Sequence, residues 1–397
     1  MRGALWVALM AMLAVPLPLS QIPMPERGMP ILYLIIAAAV LLFIRISRAS
    51  VPLALLLAYT LGHVIATGNQ LRAIQLLLLM ALCGLLFLEA SALPERVARR
   101  CAWALVAGAG LQGALGVLNM FAIFPSPGAP LLALWAVGID PAPIFKAWDV
   151  LPWMTLFSLD YVGRPAGWLT HPNYWGAYIG LSVPVVYALL GRWAGLGAFA
   201  LCAASGSVWA IVSALVGLGI MAWRDLHPRL RVAFLVAAAF IVVATTVHHV
   251  TPRLSVDDRP LRMETLTSGR TNVWAAAWPR VAQHWLVGNG LGSWRAWGNE
   301  YNRRLGATYV TQQAHNEPLQ LAFELGLIGL VLGAWTVVQL LRGGGGLSGG
   351  DRSPHHGMWL AVAAVALVNS FGSPTLHLPT QAGVALFAAG RVAARRT

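Results

Sequence analysis

Apolar runs of about 16 to 25 residues recur along the chain, and short clusters of arginine separate them. A helix rises about 1.5 Å per residue, so a run of that length spans about 30 Å of hydrocarbon. Lipid offers the backbone no hydrogen-bond partner, and a helix satisfies its own peptide groups. With 58% hydrophobic residues, 10% charged residues and a mean hydropathy of +0.68, a soluble globule with charges spread over its surface is excluded. The pattern predicts one all-α, polytopic integral membrane domain over residues 1–397, with membrane lipids as its main solvent. Reading the runs gives about twelve spans, near 4–20, 29–46, 51–67, 71–92, 101–124, 174–190, 193–205, 206–223, 231–248, 317–341, 357–372 and 378–392. The pair flanking Ser205, Gly206 and Ser207 is short for two spans, so a hairpin of abbreviated helices and one broken helix both fit.

Arginine placement sets the orientation, because basic residues in short loops are retained in the cytoplasm. Arg45 and Arg48, Arg96 to Arg100, Arg192, Arg224 to Arg231, Arg342 and Arg352, and Arg391 to Arg396 all fall on one face if both termini are cytoplasmic. The apolar run after Arg2 lacks a clear small-x-small cleavage site, which favours an uncleaved first span over a signal peptide. Two long segments, 125–173 and 249–316, then lie on the outer face. The first is rich in Pro and Trp, suited to headgroup depth. The second contains an amphipathic stretch from Arg270 to His284, with Val273, Trp274, Ala277, Trp278 and Val281 at helical spacing, expected to lie along the membrane surface.

The formal charge of +13 is carried almost wholly by arginine, Lys146 being the one lysine. These residues lie beside spans and form no continuous stripe, which argues against nucleic acid as a partner. Cys83, Cys101 and Cys202 lack the paired spacing of a zinc site or a disulfide framework. His248-His249 and His355-His356 are adjacent pairs that diverge on a helix and have no carboxylate at ligand spacing, so no metal site is expected. Ionisable residues within spans, such as Glu89, are few, which gives little support to an ion path across the midplane.

The outer segments hold the residues suited to chemistry. His315, in Ala314-His315-Asn316, places an imidazole at the mouth of a span that includes Glu324, Gly326 and Gly329. An ordinary pKa of about 6.5 suits proton transfer near neutrality, though a polar residue at a helix start, with Asn316 as cap, accounts for the same letters. Arg270 opens the amphipathic stretch within Ser268-Gly269-Arg270-Thr271-Asn272-Val273-Trp274, followed by Pro279 and Gly288-Asn289-Gly290-Leu291-Gly292. Its guanidinium suits a diphosphate or, equally, lipid headgroups. Arg164, in Gly163-Arg164-Pro165-Ala166-Gly167, and His171-Pro172-Asn173 share that outer face. Convergence of such groups on one face points to a site more strongly than any one alone.

Taken together, these residues resemble the O-antigen ligase/polymerase family of membrane glycosyltransferases. His315-Asn316, then nine residues, then Gly326-Leu327-Ile328-Gly329 is similar to the family's His-Asn-x9-Gly-x-x-Gly pattern. The stretch from Ser268 to Gly292 resembles its large-loop signature, and Arg164, Gly167, Pro172 and Asn173 resemble the element entering an earlier span. The resemblance implies a bacterial inner-membrane enzyme that moves a glycan from an undecaprenyl diphosphate carrier to a glycolipid or glycan acceptor on the periplasmic side, with no cofactor or metal. It implies His315 as catalytic base, with Arg270 and Arg164 engaging the diphosphate, and Asn316, Arg280, His171 and Asn173 as substrate-binding residues. Many members open a middle span with Ser-Arg where this chain has Ser205-Gly206-Ser207, so Arg164 or Arg280 would have to replace that arginine. A transporter or flippase of lipid-linked sugar is the alternative reading, for which broken helices and polar midplane groups in matching halves would speak.

Overall fold

The computed structural model describes residues 90–120, 172–222, 270–305, 313–343 and 354–393 apart from 374 and 376–378, together with scattered residues between 55 and 87. The expected spans near 4–20, 29–46 and 231–248, most of both long outer segments, Arg164, His171 and Cys83 lie outside the described residues.

Every regular element among the described residues is helical: α1 (Glu95–Met120), α2 (Pro172–Leu190), α3 (Arg192–Ala204), α4 (Val208–Ala222), α5 (Arg270–Gln283), α6 (Ser293–Leu305), α7 (Glu317–Gly343), α8 (Pro354–Asn369) and α9 (Pro379–Ala393). Among them, Glu95–Leu118 and Glu317–Thr336 are long and apolar enough to cross a membrane. The apolar run near 101–124 is thus the body of a helix that starts earlier. Pro94 is spent at its entrance, where its carbonyl accepts from the N–H groups of Val97 (2.9 Å) and Ala98 (3.1 Å), and Glu95 suits the positive end of the helix dipole. Arginines at 96, 99 and 100 delay the apolar run without stopping the helix.

Helix α2 is the centre. Pro172 and every residue from Trp175 to Val186 are buried, as expected of a helix that is apolar all round. It packs against α1, α3, α4 and α8, and Trp175 Nε1 donates to the carbonyl of Gln112 on α1 (2.8 Å). The short pair is two helices of 13 and 15 residues joined by Ser205–Ser207, each about 20 Å long at 1.5 Å per residue. Ser205 Oγ accepts the Ser207 N–H (3.1 Å) and closes the turn.

The helix ends sort into two groups. At one end, buried Arg391 near the close of α9 donates to the carbonyls of Ala90 (3.1 Å) and Leu93 (2.6 Å) and pairs with Glu95 at the start of α1 (2.5 Å). At the other, α7 begins against the end of α8 through Glu317 N–H to Ser370 O (2.9 Å), and Gln381 on α9 donates to Tyr174 O on α2 (3.1 Å). The Ser205–Ser207 turn belongs to this second end, since Gly176 abuts Ser205 and Gly372 abuts Trp209 so closely that a Cβ on either glycine would overlap its neighbour.

Candidate active site

His315 precedes α7, and its φ of +52° is the one positive φ of a non-glycine residue among the described residues. Left-handed backbone is sparsely used by residues with a Cβ and persists only where the surroundings impose it. Both flanks are pinned here. The Ala314 N–H donates to Gln320 Oε1 (3.0 Å) and the Ala314 carbonyl accepts from Trp274 Nε1 (2.7 Å). On the other flank, Asn316 Oδ1 accepts from the N–H of Leu319 (2.9 Å), which makes Asn316 the helix cap that its side chain suggests.

Arg270 opens α5 as expected and donates Nη1 to the carbonyl of Gly372 (2.9 Å). Gly372 follows Ser370, whose carbonyl holds the first N–H of α7, and Trp274 lies one turn along α5 from Arg270. The guanidinium and the imidazole-bearing segment are therefore tied to one turn and one helix, and they share an end of the bundle with Asn173, the second residue of α2. Arg280 is not brought in. It is exposed in the last turn of α5, about 15 Å along the axis from Arg270 at 1.5 Å per residue.

The apolar stripe of α5 is expected to face lipid, yet most of it is protein core. Val273, Ala277 and Val281 pack with Trp294 and Trp297 of α6 and with Ala322 and Phe323 of α7, leaving Trp278 exposed. The stripe is apolar for the same reason either way, because burial against protein and burial against lipid demand the same side chains.

The glycine motif has a physical explanation. At Gly326 (φ 65°, ψ −162°) α7 breaks, and the Gly288–Gly292 turn docks into the break. Asn289 and Gly290 N–H donate to the carbonyls of Phe323 (2.8 Å) and Glu324 (2.9 Å), while Leu327 and Ile328 N–H donate to those of Trp285 (2.7 Å) and Leu286 (3.2 Å). Tyr59 Oη donates to the Leu325 carbonyl (3.1 Å). A Cβ on Gly326 would stand 2.4 Å from Leu286 O, and one on Gly288 would stand 2.4 Å from Glu324 O. The carbonyls of Phe323, Glu324 and Leu325 and the N–H groups of Leu327 and Ile328 are thereby paired with the docked turn or with Tyr59, as an apolar surround requires.

Sequence reasoning assigns no role to three contributors. Gln320 and Glu324 share a face of α7 with Asn316 at four-residue spacing, and Glu324, 4% exposed, accepts from Gly292 N–H (2.9 Å) and Gln320 Nε2 (3.1 Å). The Ser370–Ser373 turn is the third. Its Ser-Phe-Gly-Ser letters between two apolar runs were the available signal for a tight turn.

The family model described as O-Antigen ligase matches residues 176–334. No curated protein matches the chain. The matched segment contains α3 to α6, most of α2 and the first part of α7, and with them Arg270, the docked glycine turn and His315.

Proposed function

We propose that this chain, whose residues 176–334 match the family model described as O-Antigen ligase, is a member of the O-antigen ligase/polymerase family of membrane proteins and moves a glycan from an undecaprenyl diphosphate carrier onto lipid A-core at the periplasmic face of the inner membrane. The observation that carries this reading is the joint anchoring of Arg270 and of the His315 segment, through Gly372 O, Ser370 O and Ala314 O.

The chemistry follows from those two groups. The bond between the anomeric carbon and the diphosphate oxygen breaks, and the diphosphate departs as an anion. A fixed guanidinium stabilises that developing charge, because it is oriented before the reaction begins. The acceptor hydroxyl forms the new bond to the anomeric carbon and gives its proton to His315. A single displacement inverts the anomeric centre. In this reading Arg164, His171, Asn173 and Asn316 contact substrate, and neither metal nor cofactor takes part. Helix ends support the placement: the arginine-bearing ends at Arg391 and Glu95 lie opposite the end that holds Arg270 and Asn316, as a cytoplasmic and a periplasmic face would. Exposed Trp278, Trp285, Leu286, Val287, Leu327 and Val331 form an apolar surface beside the break, suited to an isoprenoid carrier in the bilayer.

One observation favours the transporter reading, namely the broken helix α7. In transporters the opened half-helix ends bind substrate, whereas here the docked glycine turn and Tyr59 occupy the opened peptide groups. Detergent-solubilised protein supplied with carrier-linked glycan and lipid A-core separates the readings, since no membrane remains to cross. Glycan joined to lipid A-core is the expected product. Longer carrier-linked glycan would identify a polymerase, and no product from protein that moves glycan across vesicles would identify a transporter.

A further inference from the structure

A buried relay of hydrogen bonds runs from the start of α6 to the residue before His315. The N–H groups of Gly292 (2.9 Å) and Trp294 (3.4 Å) donate to the two carboxylate oxygens of Glu324. Gln320 Nε2 donates to Glu324 Oε1 (3.1 Å), and Gln320 Oε1 accepts the Ala314 N–H (3.0 Å). Gln320 and Glu324 are 5% and 4% exposed, so little water competes for these bonds.

The order of partners is chemically determined. Gln320 lies between a backbone donor and a carboxylate, and only one orientation of its amide offers oxygen to the first and NH2 to the second. The carboxylate is in turn suited to the positive start of α6. A change at Glu324 therefore reaches Ala314 through the amide orientation of Gln320. His315 is the next residue and holds a positive φ, a conformation that needs its neighbours fixed.

We propose that Gln320 and Glu324 are positioning residues for the transfer reaction, holding the Ala314–His315 backbone so that the imidazole is presented to the acceptor hydroxyl. This rests on the reading of His315 as the base. Neither residue touches substrate, and both act on kcat by fixing the geometry of the base.

The test uses the purified full chain in detergent, with undecaprenyl diphosphate-linked glycan and lipid A-core as substrates. Gln320→Met removes both bonds at similar side-chain length, and it is expected to lower kcat by about 10- to 100-fold with the donor KM within about twofold. The exchanged pair Gln320→Glu/Glu324→Gln keeps a carboxylate oxygen towards Ala314 N–H, an amide donor towards that carboxylate and an amide oxygen towards Gly292 N–H, and gives up only the longer bond from Trp294 N–H (3.4 Å). It is expected to restore kcat to within about threefold of the parent. In a His315→Ala background, Gln320→Met should change the residual rate by less than about twofold, because the group it positions is gone. Where Gln320→Met does not fold, judged by its thermal melt, Glu324→Gln takes its place with the same expectations. A folded variant with parental kcat, an exchanged pair as slow as Gln320→Met, or a penalty that multiplies fully onto His315→Ala would each overturn the relay. Full transfer by His315→Ala would instead overturn the functional reading itself.

Discussion

Gly326→Ala isolates the break in α7. Two separate effects oppose it. The conformation at φ 65° and ψ −162° is essentially restricted to glycine, and forcing a Cβ-bearing residue into it costs about 1–3 kcal/mol. The added Cβ would also stand 2.4 Å from Leu286 O and 2.6 Å from Gly288 N, both backbone atoms that cannot rotate away. The docked turn has to retreat, which weakens Leu327 N–H to Trp285 O and Ile328 N–H to Leu286 O, at about 1 kcal/mol for each bond. The sum is a destabilisation of about 3–5 kcal/mol. Gly110→Ala on α1 is the control, because nothing lies within 4 Å of its Cβ position, and alanine there should stabilise by about 0.5–1 kcal/mol. Thermal unfolding of the purified protein in detergent reads both. A Gly326→Ala melting temperature equal to or above the parent's would refute the docking argument.

The remaining expectations concern single bonds. Arg270→Lys loses the planar fork that reaches Gly372 O, and transfer is expected to fall at least about tenfold in the detergent assay with little change in melting temperature. Asn316→Ala removes the cap on Leu319 N–H and should cost about 1 kcal/mol by thermal melt. Arg391→Ala removes the guanidinium donor from the carbonyls of Ala90 and Leu93. It should destabilise by about 2–3 kcal/mol, with the rate per folded molecule unchanged, since Arg391 lies at the end of the bundle away from the site. Glu95, its partner, is half-exposed and contributes little beyond those bonds.

Local signals were legible in the letters because their causes are local. Apolar length marks α2, α4, α7, α8 and α9 to within about three residues, α1 begins at Glu95, ahead of its apolar run, and the letters around Ser205–Ser207 mark the short pair as unusual. Helical spacing locates α5, and the cap alternative for Asn316 agrees with the bond its side chain makes. Gly326 was noticed as part of a motif, but its task was not legible, because the partner that docks against it lies some 35 residues earlier at Gly288–Gly292. The same holds for Glu324, which reads as an isolated acid within an apolar helix until the start of α6 is placed beside it. The destination of the α5 stripe was illegible for a different reason. Periodicity reveals that a face is buried and does not distinguish protein from lipid as the burying medium.

The most direct test of glycan transfer through His315 is the rate at which purified His315→Ala joins carrier-linked glycan to lipid A-core, with its thermal melt measured alongside. A general base contributes about 100- to 10,000-fold, so the rate should fall by that order while the protein stays folded. Transfer at the parental rate by the folded variant would contradict the account.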